Sequence, residues 1–259
     1  MSKSIGIFDS GVGGTSIWQE IHKQLPLENT MYLADSKNAP YGAKSKEDIL
    51  QLSIKNTEFL LNKGCKLIVV ACNTATTNAI DYLRANYDVP FIGIEPAIKP
   101  AALHTKSKKV GVLATKGTLS SSLFHNTSKM FAEGIEVFEQ EGTGLVELIE
   151  AGETNSKKTK ELVKKYVDPM LGQGIDCLVL GCTHYPYLIP VLKEILPKNI
   201  TIIDSGEAVA RQTKAVLIKN NLLESVGNNP EHVFYSNSDV GILKELVDNP
   251  LAKIEYLDF

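Results

Sequence analysis

The chain has 259 residues, which is long enough for one large domain or for two domains of ordinary size. Hydrophobic residues make up 43% of the sequence and charged residues 22%, a balance typical of soluble globular proteins. The formal net charge is -3 and the basic residues are spread along the chain, which argues against nucleic acid or an anionic membrane as a partner.

Short apolar segments alternate with amphipathic ones along the chain, which predicts a parallel α/β architecture. Most of the apolar segments are nearly continuous Ile, Val and Leu, as expected for strands covered on both faces by helices. The clearest helix is predicted over 45–62, where Ser45 and Asp48 form a capping box and Gly64 follows the end. The predicted strands are, in chain order, 4–8, 29–34, 67–71, 91–94, 110–114, 135–139, 177–180 and 200–203.

Location is suggested by the cysteines and by the missing targeting signals. The four cysteines have no close pair spacing, and the N-terminus shows no export pattern, so reduced thiols in the cytoplasm are expected. The longest apolar runs, such as 67–72, have the length of a strand and are too short to span a bilayer.

An internal repeat indicates two similar halves. The segment IGIFDS at 5–10 resembles VGVLAT at 110–115, an offset of 105, and IVVACNT at 68–74 resembles LVLGCTH at 178–184, an offset of 110. Parallel strands resemble one another in any case, but that explanation does not place a cysteine at the same point of both halves. We therefore predict two three-layer α/β domains with mostly parallel sheets, related by a pseudo-twofold axis. The domains are residues 1–96 with 209–259, and residues 97–208.

Cys72 and Cys182 each follow an apolar strand and precede a predicted helix. Ligands of such sheets bind at the carboxyl ends of the strands, so the two thiols are predicted to enter one interdomain cleft from opposite sides. This arrangement suits a racemase, which removes a proton from one face of a stereocentre and returns one to the other. A free thiol has a pKa of about 8.5, and a helix N-terminus is expected to lower it.

The neighbours of the two cysteines fit the same chemistry. Asn73, Thr74 and Thr183 provide donors at predicted helix starts, where a substrate carboxylate could be held. Asp9 ends the first strand and His184 lies two residues beyond Cys182, so each is a candidate to tune the nearer thiol or to relay its proton.

The glycine-rich segment after Asp9 does not indicate a nucleotide site. It departs from G-x-G-x-x-G because position 16 is Ser, and the chain has no Walker-type G-x-x-x-x-G-K-[ST].

Five sequence blocks resemble the signature blocks of glutamate racemases, in that family's order and over nearly the whole chain. The resemblance implies two α/β domains, catalysis without cofactor or metal, glutamate as a small-molecule substrate, and production of D-glutamate for peptidoglycan in a bacterial cytoplasm. Dimers are common among such enzymes, so a homodimer is a further expectation. The blocks are FDSGVGG at 8–14, PYG at 40–42, ACNTA at 71–75, GIEP at 93–96 and GCTHYP at 181–186.

By this resemblance the proton-transfer thiols are Cys72, which would deprotonate D-glutamate, and Cys182, which would deprotonate L-glutamate. The supporting acid/base residues are Asp9, Glu150 and His184. The implied substrate-binding residues are Asp9, Ser10, Tyr41, Gly42, Asn73, Thr74, Thr115, Thr118, Thr183 and His184.

The region before Glu150 departs from the family pattern. The family usually carries a Pro shortly before the supporting glutamate, in a block like V-P-L-[IV]-E, whereas this chain has Glu147 in VELIE at 146–150. Glu150 still aligns with the supporting glutamate of the family, but the additional acid at Glu147 weakens the assignment of its role.

Three alternatives stay open. A racemase of aspartate or another acidic amino acid is the nearest alternative. His184 argues against it, because the block at 181–184 reads G-C-T-H here, whereas the aspartate relatives have a block that resembles G-C-T-E. A metal or redox site built from Cys72, Cys182 and His184 would lack the usual C-x-x-C spacing. A binding protein with an interdomain cleft would explain the two halves but not the two thiols.

Ordinary structural roles compete with several of these assignments. Cys65 and Cys177 are expected to be buried hydrophobic residues. From residue chemistry alone, Asp9 or Ser10 could cap a helix, His184 could be a core histidine, Tyr41-Gly42 could form a turn, and Glu150 could be a surface acid.

Overall fold

The computed structural model describes residues 3–224 and 229–259, and all eight predicted strands occur in it within one or two residues of their expected bounds. The strands are β1 (Ile5–Asp9), β2 (Thr30–Ala34), β3 (Leu67–Val70), β4 (Phe91–Gly93), β5 (Lys109–Ala114), β6 (Glu136–Glu141), β7 (Cys177–Gly181), β8 (Thr201–Ile203), β9 (His232–Ser236) and β10 (Ala252–Tyr256). The helices are α1 (Thr15–Gln24), α2 (Lys46–Asn62), α3 (Asn73–Asn86), α4 (Ile98–His104), α5 (Lys116–Leu119), α6 (Ser122–Phe131), α7 (Leu145–Glu150), α8 (Lys157–Gly172), α9 (Ile189–Ile195), α10 (Gly206–Lys219) and α11 (Gly241–Val247). None of the helices in these described ranges is long and apolar enough to cross a membrane.

The strands form two sheets in which every pairing is parallel. The first sheet has the order β10-β9-β2-β1-β3-β4, and the second has the order β6-β5-β7-β8. We call the part of the chain built on the six-stranded sheet the first half, and the part built on the four-stranded sheet the second half. The predicted α/β class with parallel sheets is confirmed.

The internal repeat is confirmed at the level of strand register. The order β2-β1-β3-β4 in the first half matches β6-β5-β7-β8 in the second. In the first half Ile5 pairs with Leu67, and in the second Val110 pairs with Cys177, which are the same positions at the two sequence offsets. The two cysteines therefore follow equivalent strands, β3 and β7.

Helices cover both faces of each sheet, which explains the nearly continuous apolar strands. In the first sheet Ile5 and Ile7 pack on one face with α1, α10 and α11, whereas Phe8 packs on the other face with α2 and α3. The second sheet is covered on one face by α7, α8 and α9 and on the other by α4 and α6.

The predicted helix over 45–62 is confirmed as α2. The Ser45 side chain accepts a hydrogen bond from the Asp48 backbone N–H at 3.1 Å, which caps the helix. Gly64 lies just beyond the end with φ of +80°, a conformation that favours glycine.

Strands β9 and β10 extend the first sheet and were not predicted. β9 alternates buried and half-buried residues, and β10 is an exposed edge strand carrying Lys253 and Glu255. Charged residues on an edge strand interrupt the apolar run by which a buried strand is found.

The chain crosses between the halves after β4 and again after β8. The two crossing segments are tied by the Ser205 hydroxyl, which donates to the Glu95 carbonyl at 2.5 Å. The strands of the first sheet lie within residues 1–96 and 209–259, and those of the second sheet lie within residues 97–208. The domain boundaries at 96 and 208 themselves stay a prediction.

Candidate active site

Cys72 and Cys182 line one small cavity between the two halves. Each thiol follows the carboxyl end of its strand, and each residue is nearly buried, with 5% of Cys72 and 7% of Cys182 exposed. The cavity has a volume of about 10 Å³. Its walls are formed by Ser10, Pro40, Tyr41, Gly42, Cys72, Asn73, Thr74, Thr115, Val146, Cys182, Thr183 and His184.

Cys72 is the N-cap of α3, as its sequence position suggested. Its Sγ accepts the Ala75 backbone N–H at 3.4 Å and lies 3.6 Å from the Ser10 hydroxyl, to which it donates. The Ala75 N–H at the start of the helix does lower the pKa of Cys72, as expected, but other effects are larger. Burial and the neighbouring Asp9 carboxylate outweigh those hydrogen bonds and raise the pKa of Cys72 well above its ordinary value.

Cys182 has a different partner. It is followed by a 3-10 turn, Tyr185–Leu188, and not directly by the predicted α-helix. Its Sγ lies 3.8 Å from Nδ1 of His184, close enough for a hydrogen bond involving sulfur.

His184 forms a buried pair with Glu150. The His184 Nε2 lies 2.6 Å from Oε1 of Glu150. Burial disfavours the imidazolium, but the hydrogen bonds with Cys182 and Glu150 raise the pKa of His184 well above its ordinary value. Burial likewise disfavours the Glu150 carboxylate, but hydrogen bonds from His184 and from the Val12 N–H lower its pKa. The interpretation of Glu150 as a solvated surface acid is therefore wrong.

Asp9 is completely buried at the end of β1. Its Oδ2 accepts the Gly14 backbone N–H at 2.7 Å, and its Oδ1 accepts the Thr183 hydroxyl at 3.3 Å. The desolvation caused by burial raises the pKa of Asp9 to about 6, against the opposing effect of His184. Asp9 can therefore change its protonation state near neutral pH.

Asn73 presents an unused amide to the cavity. Only 3% of this residue is exposed. Within the part of the chain that the structure describes, neither its Oδ1 nor its Nδ2 has a hydrogen-bond partner. Buried polar groups are nearly always paired, so this amide is available for a ligand.

Three threonines join the halves beside the cavity. The Thr74 hydroxyl of α3 lies 2.8 Å from that of Thr115 and 3.3 Å from that of Thr118, which are also 3.1 Å apart. Thr115 lines the cavity, whereas Thr118 is fully buried behind it.

Tyr41 and Gly42 lie in the cavity wall on the first half. The Tyr41 hydroxyl donates to Asp35 at 2.5 Å and accepts from Asn56 at 3.1 Å, so it is already engaged away from the thiols. A Cβ at Gly42 would lie 2.8 Å from the Thr115 Cβ, so glycine allows the two halves to approach closely there.

Glu147, which stands where the family has Pro, lies outside the thiol cavity. It lines a larger cavity of about 330 Å³ that shares Gly42 and Thr115 with the first and opens to the surface. Its side chain is exposed, and it does not take the place of Glu150 beside His184.

The other two cysteines have structural roles. Cys65 and Cys177 are buried in the hydrophobic core, and burial raises the pKa of Cys65 to about 12 and that of Cys177 to about 11. All four thiols are free. Among residues 3–224 and 229–259, no group of three or more His, Cys, Asp or Glu side chains is arranged to hold a metal ion.

Comparison with known proteins decides the family. The sequence profile described as Asp/Glu/Hydantoin racemase matches residues 5–213. The chain belongs to this racemase family. It is accordingly an isomerase acting on amino acids.

Relatives within this racemase family cover most of the chain. A glutamate racemase of Herpetosiphon aurantiacus is 48% identical over 219 residues, which are 85% of this chain and 86% of the relative. The crystal structure of glutamate racemase isoform RacE1 from Bacillus anthracis has a TM-score of 0.87 and 31% identity, covering 99% of this chain and 98% of that one. The Escherichia coli glutamate racemase, solved with L-glutamate and the activator UDP-MurNAc-ala, has a TM-score of 0.86 and 32% identity, covering 99% and 98%.

Sequence analysis missed several residues around the racemase site. Val146 lines the cavity, and the Ser36 hydroxyl donates to Glu150 at 2.9 Å. Ser36 lies two residues beyond the end of strand β2, so the rule that polar residues at strand ends form sites could have singled it out.

Proposed function

We propose that the protein interconverts L-glutamate and D-glutamate without a cofactor, using Cys72 and Cys182 as the two proton-transfer groups. One observation carries the proposal: two free thiols on equivalent strands of two similar halves line the same small cavity. The glutamate racemases among its relatives support the choice of substrate.

The two thiols have different neighbours. His184, whose pKa is held well above its ordinary value by hydrogen bonds with Cys182 and Glu150, is a proton donor beside Cys182, whereas burial raises the pKa of Cys72 and keeps it as a thiol. As the resemblance to glutamate racemases implies, Cys182 acts as the thiolate base that takes the α-proton of L-glutamate, and the S–H bond of Cys72 breaks to deliver a proton to the opposite face. The thiol and the thiolate are then exchanged, which is the state required to turn over D-glutamate.

The substrate α-carboxylate is proposed to bind at the start of α3. Asn73 offers an unpaired amide there, and the first N–H groups of α3 favour an anion. Thr74 and Thr183 line the same cavity and add hydroxyl donors. Ser10, Tyr41, Gly42, Thr115 and Thr118 remain proposed substrate-binding residues.

The wider role is proposed from the same family. It includes supply of D-glutamate for peptidoglycan, a cytoplasmic location and a homodimer. The four free thiols are compatible with a reducing compartment.

The test is racemisation of L-glutamate by dialysed, metal-free protein, followed by optical rotation, with L-aspartate as the competing substrate. We expect the rotation to fall to zero with glutamate, faster than with aspartate. Cys72→Ala and Cys182→Ala should each abolish racemisation, and Cys65→Ala is the matched control because that thiol lies in the core. Loss of rotation only after a metal or cofactor is added, or only with aspartate, would contradict the proposal.

A further inference from the structure

Glu150 belongs to the second half, but most of its fixed donors come from the first. Its Oε1 accepts the Val12 backbone N–H at 2.7 Å, and its Oε2 accepts the Ser36 hydroxyl at 2.9 Å. Its partner on its own half is His184, at 2.6 Å from Oε1. The carboxylate thus bridges the interface between the halves.

The first half is shaped to receive this carboxylate. A Cβ at Gly11 would lie 1.9 Å from Oε1 of Glu150, so only glycine leaves room for it. A Cβ at Gly13 would similarly lie 2.2 Å from Nδ1 of His184. The glycine-rich segment therefore provides a recess for the Glu150–His184 pair.

Ser36 is held rigidly in the turn that follows β2. The Asp35 carboxylate before it accepts Asn38 at 2.8 Å and Asn237 at 2.5 Å. The Lys37 backbone N–H after it donates to Oδ1 of Asn237 at 2.9 Å. The Ser36 hydroxyl is therefore positioned before Glu150 arrives, and the cost of ordering it is already met by the fold.

We propose that Ser36 is a positioning residue that orients Glu150 across the interface, so that the Glu150–His184 pair behind Cys182 is assembled only when the two halves are closed. The inference rests on the proposed racemase function. When the halves separate to admit substrate, Glu150 loses the Ser36 hydroxyl and the Val12 N–H together. Closure over the substrate then restores both donors and aims His184 at Cys182.

The test compares Ser36→Ala, Glu150→Gln and the double variant with the wild type. Removing one hydrogen bond to a charged group that matters in the transition state should lower kcat about tenfold, with little change in KM. Because Ser36 acts through Glu150, the alanine change should lower kcat less than about twofold in the Glu150→Gln background. Ser36→Thr keeps the hydroxyl and should restore kcat.

Ser238→Ala is the matched control, since Ser238 is a half-buried serine in the loop after β9. Thermal melts check that each variant folds like the wild type. An unchanged kcat in Ser36→Ala, or an equal loss in both backgrounds, would overturn the inference while leaving the proposed function intact. A wild-type protein that racemises no glutamate would instead overturn the proposed function.

Discussion

The Asp9 carboxyl is maintained in the interior at a cost to stability. It is completely buried, and its hydrogen bonds do not offset the desolvation that raises its pKa to about 6. In the unfolded chain the same group titrates near 3.8. Above pH 6 the folded protein therefore holds a poorly solvated carboxylate near Cys72, and its charge raises the pKa of that thiol.

Replacing Asp9 with Asn should stabilise the protein while impairing catalysis. The folded pKa is raised, so Asp9 destabilises the folded state fully above pH 6, and this effect disappears as the pH falls towards 3.8. At pH 8 the Asn variant should therefore be more stable by up to about 3 kcal/mol, measured by urea unfolding, and the gain should vanish near pH 4. Its kcat should fall at least tenfold.

Asp176→Asn is the contrasting control for this prediction. Hydrogen bonds from Thr105 and from the backbone N–H groups of Lys106 and Ser107 hold the pKa of Asp176 below its ordinary value, so its loss should destabilise the protein. A destabilised Asp9→Asn variant at pH 8 would contradict the account of Asp9.

At the scale of elements, the segment between β1 and α1 matters because three of its five residues are glycines, which leave room for neighbouring side chains. Gly11 and Gly13 lie against Glu150 and His184, and the Gly14 N–H donates to Asp9. The segment therefore contacts the supporting residues of both thiols.

Gly13→Ala should disable the Cys182 side of the site without unfolding the protein. The new Cβ would lie 2.2 Å from Nδ1 of His184, so the imidazole must move away from Cys182. We expect kcat for L-glutamate to fall at least tenfold with little change in the melting temperature. Gly172→Ala, at the end of α8 with no atom near its Cβ, should keep wild-type kcat. Full activity in Gly13→Ala would contradict the role given to His184.

Elements with strong local patterns were predictable from the sequence. The buried strands, the α2 cap at Ser45 and the register of the repeat all follow from apolar runs, capping chemistry and offsets. The edge strand β10 was not predictable, because its exposed charged residues resemble a loop.

At the scale of the whole molecule, sequence indicated which residues meet but not how they interact. The repeat predicted that Cys72 and Cys182 enter one cleft, and both line the same cavity. The repeat could not predict that burial would outweigh the effect of the helix N-terminus on the pKa of Cys72, because desolvation depends on how closely the halves pack. The contact of Ser36 with Glu150 joins positions 114 residues apart and has no local signal.

The central claim is that the two halves act on opposite faces of one carbon. The most direct test follows the Cα–H signal of each glutamate enantiomer by NMR in D₂O, using Cys72→Ala and Cys182→Ala. Cys72→Ala keeps Cys182 and should exchange only the α-proton of L-glutamate, whereas Cys182→Ala should exchange only that of D-glutamate. Neither variant should racemise. Racemisation by either variant, or exchange of the same enantiomer by both, would contradict the two-thiol account.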